Sequence, residues 1–200
     1  MKKGFTVLAF ILGLLTFASS HAASYKIDPD HSSITFKVKH LSISAVTGKF
    51  SKFSGTFNFD EKKPSHSKVE VTIMPESVDT GVPGRDDHLR SAAFFEVETY
   101  KTAVFKSTKV SDLSNGDFTI EGVLDLHGVK KPVVLKAHYD GSVADNQGNM
   151  HAAFSAETEI NRQDYGIDFN ETLDKGGLLA ANEVKLFFEI EGVQTTDSSK

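Results

Sequence analysis

The chain has no cysteine in its 200 residues, and that absence excludes a great deal. Disulfides, thiolate zinc sites, covalent haem attachment and thiol nucleophiles all require it. A lipid-anchored bacterial lipoprotein, which carries a cysteine at its processed N-terminus, is excluded with them. Tryptophan is also absent, and proline occurs only five times. Beyond the first 18 residues, no apolar run has the roughly 20 residues that a helical membrane span needs. Positive charge is in deficit: 22 Lys and Arg stand against 27 Asp and Glu. Such a chain is a poor partner for nucleic acid or an anionic membrane surface.

What is present begins with a leader. Lys2 and Lys3 precede an uncharged apolar stretch over residues 5–18. Ser20-His21-Ala22 then supplies small residues at the −3 and −1 positions of a cleavage site before Ala23. The expectation is a signal peptide over residues 1–22, one domain over residues 23–194 and a frayed tail over residues 195–200. The processed product has 178 residues and a formal charge of −7. It is expected in the periplasm, with no membrane span. Its length suffices for one domain held by its own core.

Alternation dominates that domain. Ile34, Phe36, Val38 and His40 share one strand face, while Ser33, Thr35, Lys37 and Lys39 share the other. Residues 53–59 and 69–73 repeat the pattern, as do residues 118–126, 133–139, 152–160 and 184–190. Turn signals separate them, among them Ser114-Asn115-Gly116-Asp117 and His127-Gly128. About eight strands with hairpin-length links suit an antiparallel sandwich or an up-and-down barrel. Periodicity alone leaves open whether the inward residues fill a dry core or line a hollow. Residues 41–46 read as a short turn or helix, and residues 168–179 as a polar stretch with a Gly176-Gly177 pair.

One block stands apart. Residues 84–100 place Arg85, Asp86, Asp87, His88 and Arg90 just ahead of Phe94-Phe95. The spacing predicts a short helix over residues 85–95 that opens on carboxylates, which favours its positive N-terminus. Arg85 and His88 share one face, and Asp86 and Arg90, four apart, share another.

These residues carry a family resemblance. Tyr25-Lys26-Ile27-Asp28-Pro29-Asp30-His31-Ser32 opens it, and Thr47-Gly48-Lys49-Phe50 and Phe53-Ser54-Gly55 follow. Its most specific signature is Ser77-Val78-Asp79-Thr80-Gly81 ahead of Arg85-Asp86-Asp87-His88-Leu89-Arg90-Ser91. Leu124-Asp125-Leu126-His127-Gly128 and Asn161-Arg162-Gln163-Asp164-Tyr165-Gly166 complete it. The order and content resemble the YceI family through almost the whole processed chain. Lys101 stands where the family commonly has proline, and Asp125 where Thr or Ser is usual.

The resemblance implies a lipocalin-like, all-β, eight-stranded antiparallel up-and-down barrel with one or two short helices and a long apolar tunnel. It further implies binding of a polyisoprenoid, an isoprenoid quinone or a related long-chain lipid, for carriage or storage. No catalytic activity is established across the family, and no cofactor is required beyond the bound lipid. On this reading Phe36, Val38, His40, Phe57, Val71, Ile73, Phe105, Ile120, Leu124, Phe154, Leu186 and Phe188 line the tunnel. Twelve buried methylenes at about 0.8 kcal/mol each give about 10 kcal/mol gross. An association cost of roughly 4 kcal/mol or more then leaves micromolar-range binding. Brief membrane contact and pairing of two barrels are compatible with the same role.

The charged block admits two readings. Arg85, His88 and Arg90 can meet a phosphate or quinone carbonyl at the tunnel mouth, because guanidinium offers a planar fork to oxyanions. Alternatively Asp86, Asp87 and Arg90 form a structural ion-pair cluster on the rim. Arg162 and Asp164 read as a buried pair bracing the barrel end. The histidines lack helical metal-ligand spacing, so no metal site is expected. No Gly-x-Ser-x-Gly elbow occurs. Two alternatives remain: a lipid-modifying enzyme acting at the tunnel mouth, and a stress-induced partner of a membrane cytochrome.

Overall fold

In the computed structural model, residues 22–169 and 179–195 are described. Residues 1–21 of the expected leader, residues 170–178 with the Gly176-Gly177 pair, and residues 196–200 of the expected tail lie outside them. Eleven antiparallel strands form one sheet: β1 (Ala23–Ile27), β2 (Ser33–His40), β3 (Ser44–Phe50), β4 (Phe53–Phe59), β5 (Lys68–Ile73), β6 (Val78–Asp79), β7 (Ala103–Val110), β8 (Asp117–Leu126), β9 (Val129–Ala144), β10 (Met150–Asn161) and β11 (Ala180–Gln194). Among the described residues one α-helix, α1 (Pro83–Arg90), interrupts them.

The eleven segments make eight staves of one barrel. β11 pairs with β1 through Val193 and with β2 through Phe188, so β1 and β2 are two halves of one bent stave. β4 faces β1 while β3 faces β2, which makes β3 and β4 the second bent stave. β5 and β6 form the third, paired to β4 and β3. From β7 to β11 each strand pairs with its successor, and β11 closes the ring on the first stave. This is an eight-stranded antiparallel up-and-down barrel, closed where β11 pairs with both halves of the first stave.

The strand pattern explains which residues look inward. On β2, Ile34 and Phe36 are buried while Lys37 and Lys39 are exposed. Direct cross-strand partners share a face, so Ile34 carries Phe188 inward and Phe36 carries Leu186. Tight hairpins fix the register. His127 and Gly128 both have positive φ, at 52° and 74°, as a two-residue I′ turn between β8 and β9 requires.

Four elements differ from the sequence reading. Residues 41–46 are a turn only as far as Ile43, after which β3 begins. β7 is a full strand, and β9 runs well past the predicted residues 133–139 at both ends. The helix is shorter than the predicted 85–95: it starts on Pro83, whose fixed φ suits the first turn, and ends at Arg90.

Candidate functional site

The barrel is hollow toward one end and aromatic toward the other. A cavity of about 450 Å³ lies where α1 and the chain after it cover the barrel mouth. Ile34, Phe36, Val38, Phe50, Leu126, Ile160 and Val184 form its strand walls, and Leu89, Phe94 and Phe95 reach in from the helical side. A second cavity of about 120 Å³ continues toward the opposite end among Phe57, Phe59, Val71, Phe105, Phe118, Ile120 and Phe154. Ile73, Leu124, Leu186 and Phe188 border both, forming a waist between them. Several inward residues, including Phe154, Leu186 and Phe188, are only half-buried because they face this open space.

Beyond the small cavity, rings close the barrel. Phe154 packs edge-on against Phe57 at 5.2 Å and Phe59 at 4.8 Å, with Tyr139 tilted beside it at 5.2 Å. Tyr25 stacks on Phe57 at 4.9 Å. Edge-to-face and offset contacts of this kind are the favoured geometries of aromatic clusters. The interior is thus a chamber with one wide end and one plugged end.

All twelve side chains expected along a tunnel face these two cavities. Phe36, Val38 and His40 line the large one, Phe57, Val71, Phe105, Ile120 and Phe154 the small one, and Ile73, Leu124, Leu186 and Phe188 the waist. Sequence reasoning missed Phe94, Phe95, Leu89 and Phe169 as wall residues. They sit on helix and loop, where strand alternation carries no signal. The Phe94-Phe95 doublet after a charged helical turn was the available clue.

Among the described residues, the ionisable side chains that line the large cavity are all basic: Lys39, His40, Arg85, His88 and Arg162. His88 lies against the rings of Phe94 and Phe169, with centroids 5.1 and 4.9 Å away. Arg85 donates from Nε to Thr80 Oγ1 at 2.7 Å and from Nη2 to the Thr80 carbonyl at 3.0 Å. Asp86 accepts from the Thr80 amide at 2.9 Å and from the Thr80 hydroxyl. Thr80 therefore ties both residues of the first helical turn to the end of β6.

The expected rim chemistry needs three corrections. Arg90 does not line the cavity; it pairs with Asp87 at 2.8 Å and donates to the Val78 carbonyl at 3.2 Å, bracing α1. Asp86 forms no ion pair with Arg90, because Thr80 has captured its carboxylate. Arg162 and Asp164 do not pair either: Asp164 is exposed, whereas Arg162 is buried. Arg162 donates instead to the carbonyls of Ile167 at 2.6 Å and Ala181 at 3.1 Å and to Asn182 Oδ1 at 3.1 Å. Burial pushes its pKa down, and the charges of Asp168 and Glu183 partly offset that.

The comparisons agree with this geometry. The YceI-like domain family matches residues 25–192. Protein YceI of Salmonella agona is 44% identical over 196 residues, covering 97% of this chain and 99% of that protein. A UPF0312 protein of Pseudomonas aeruginosa is 42% identical over 197 residues, with 97% and 99% covered. Among solved structures, the Campylobacter jejuni YCEI protein is 30% identical with a TM-score of 0.68, covering 79% of this chain and 90% of that one. A polyisoprenoid binding domain from Saccharophagus degradans shares the fold at 19% identity, with a TM-score of 0.61 and coverage of 87% and 99%.

Proposed function

This chain belongs to the YceI family, and from that premise we propose that it is a periplasmic carrier or store for a polyisoprenoid or a related long-chain lipid such as an isoprenoid quinone. The large apolar cavity inside a closed barrel carries the reading. Its walls hold mainly Phe, Leu, Ile and Val, with few ionisable groups among the described residues that line it. An apolar chain entering such a space sheds water along its length, at roughly 0.8 kcal/mol per buried methylene. No directional contact is needed in the interior, which suits recognition of a chain by its width and length. The polyisoprenoid named for the Saccharophagus domain supports the ligand class through a shared fold.

The basic mouth sets an orientation. The tail enters past Phe94 and Phe95 toward the waist, and the head group stays beside Arg85, His88 and His40. A polar or anionic head is favoured there by guanidinium donors, and among the described residues no carboxylate lines the cavity. The His40 and His88 imidazoles add ring nitrogens that can donate to or accept from such a head.

Native mass spectrometry of protein isolated from periplasm without detergent, followed by solvent extraction, tests this proposal. A discrete adduct of several hundred daltons that extracts as a prenyl or acyl lipid is the expected result. A bare mass that persists after incubation with quinones and prenyl phosphates overturns it.

A further inference from the structure

The outer wall of the barrel carries a second cluster of chemistry, remote from the cavity mouth. Asp28 and His31 lie in the bend between β1 and β2, and Glu191 lies on the outward face of β11 beside them. One ligand atom from each of these three residues falls within 4.8 Å of the others. Sequence pattern carries no sign of this, because Glu191 is more than 150 positions from Asp28 and His31 and only barrel closure brings it to them.

The backbone holds them in place. The Asp28 amide donates to the Glu191 carbonyl at 2.9 Å, Ser32 Oγ donates to the same carbonyl at 3.2 Å, and the Glu191 amide donates to Ser32 Oγ at 2.9 Å. The bend is thereby fastened to β11 on both sides of His31. Asp28 Oδ1 is fixed by the Asp30 amide at 3.0 Å, while Oδ2 meets His31 Nδ1 at 2.8 Å. Glu191 Oε1 meets His151 Nδ1 at 2.7 Å, and His151 Nε2 lies 3.4 Å from Asp145 Oδ2. A surface cleft between β9 and β10 opens onto Glu191, His151 and Asp145.

We propose that Asp28, His31 and Glu191 bind one divalent transition-metal ion of the zinc class, with His151 as the residue that orients Glu191. Two carboxylates and one neutral imidazole supply three donors and cancel the dication's charge, leaving a position for water or an outside ligand. The imidazole favours zinc, copper or nickel over calcium or magnesium, which prefer all-oxygen shells. A ligand carboxylate held by a histidine that is itself held by a second carboxylate is a typical outer-shell arrangement. Asp145 is committed to that outer role, since it already accepts from the amides of Gln147 at 2.7 Å and Asn149 at 2.8 Å and from Asn149 Nδ2 at 2.8 Å. Among the described residues, no Lys or Arg forms an ion pair with Asp28, Glu191 or Asp145.

Isothermal titration of tag-free, chelator-stripped protein with ZnCl2 at pH 7.5 tests the site, with cobalt absorption reporting the ligand geometry. One saturable equivalent is expected. His31→Ala and Glu191→Gln each weaken it by about tenfold or more, as loss of a ligand should. His31 has a side chain 67% exposed, so its removal leaves the fold intact and keeps the test clean. His151→Gln weakens binding less, and His138→Ala, at the unrelated His138–Asp117 pair, leaves it unchanged. Lowering the pH to 5.5 weakens zinc by about tenfold or more because His31 must lose its proton to bind. Absence of saturable binding, retention of wild-type affinity in both His31→Ala and Glu191→Gln, or loss on His138→Ala overturns the proposal.

Discussion

Gly48 on β3 lies directly beneath the ring of Phe36 on β2, so that a β-carbon at position 48 would come within 2.6 Å of Phe36 Cε1. The two residues are register partners, and the missing side chain of one is the resting place of the other. The same β-carbon would come within 2.9 Å of Thr80 Cγ2, so it has no free side to turn to, and the ring that must give way borders the cavity. Gly122 under Phe105 and Gly192 under Phe57 repeat the device on other staves. Small inward residues thus set how far the phenylalanines lean back, and with that the width of the hollow.

Gly48→Ala therefore acts on stability and capacity together. Overpacking of this kind costs typically 1–3 kcal/mol, read as a lower urea midpoint with an unchanged slope. The displaced Phe36 ring also narrows the large cavity, so uptake of a hydrophobic dye falls in the same variant. Wild-type values for both would mean that the ring is not held as described.

The waist makes a different prediction. Ile73 borders both cavities beside Leu124, Leu186 and Phe188. Ile73→Phe enlarges the obstruction without touching the mouth. Short chains should bind as before, while chains long enough to pass the waist lose affinity. A competition series of prenyl alcohols of increasing length reads this as a new cut-off. A uniform loss at every length would show that the two cavities are not filled in sequence.

Arg162 carries the barrel end. Its guanidinium is spent on the carbonyls of Ile167 and Ala181 and on Asn182, joining the turn after β10 to the start of β11. Arg162→Ala strands those buried carbonyls at about 1–3 kcal/mol for each acceptor left unsatisfied. A loss of at least 2–3 kcal/mol is expected in denaturant unfolding. Asp164→Asn should change stability by no more than about 0.5 kcal/mol, since the side chain is exposed and outside this network.

That pair also shows where the sequence was legible and where it was not. Alternation located the inward faces of β2, β4, β8, β10 and β11, because period two is a direct image of the pleat. It could not foresee Arg162's partners. Residues 162–165 form a 3-10 turn, in which positions two apart point to different sides and only i and i+3 align. Asp86 was misread for a related reason: helical spacing aims it at Arg90, but the tertiary position of Thr80 decides. Alternation did not mark β1, half of a stave broken by the bend at residues 28–32, whereas the family resemblance over residues 25–41 covers both halves as one first strand. The chamber's helical wall was invisible because Phe94, Phe95 and Phe169 belong to no periodic element.

The outer cluster sets a pH dependence. The His151 pKa is raised, chiefly by the hydrogen bond to Glu191 and then by Asp145, against some desolvation. The stability it contributes is complete below the unfolded histidine value of about 6.5 and is lost as pH rises through the higher folded value. Asp145 has its pKa lowered to about 2, mainly by the Asn149 side chain. Its contribution is present above the unfolded aspartate value of about 3.9 and disappears as pH falls toward 2. In chelator, wild type should exceed His151→Gln in Tm most clearly near pH 5.5, and the gap should shrink by pH 9. A gap that widens with pH would reverse the assigned sign.

The last prediction concerns the head group. Arg85 has two of its three nitrogens occupied by Thr80, which fixes the plane of the guanidinium at the cavity mouth. A ligand with a phosphate head gains a charge-assisted contact there that its alcohol cannot match. Arg85→Gln removes the charge while leaving the apolar chamber alone. The phosphorylated lipid should lose about tenfold or more in affinity, corresponding to roughly 1.4 kcal/mol, and the alcohol much less. Arg90→Gln is the internal control, because Arg90 braces α1 and does not line the cavity: it should lower Tm modestly and affect both lipids alike. Equal losses for phosphate and alcohol in Arg85→Gln would place the head group elsewhere and leave only the apolar walls to recognise the ligand.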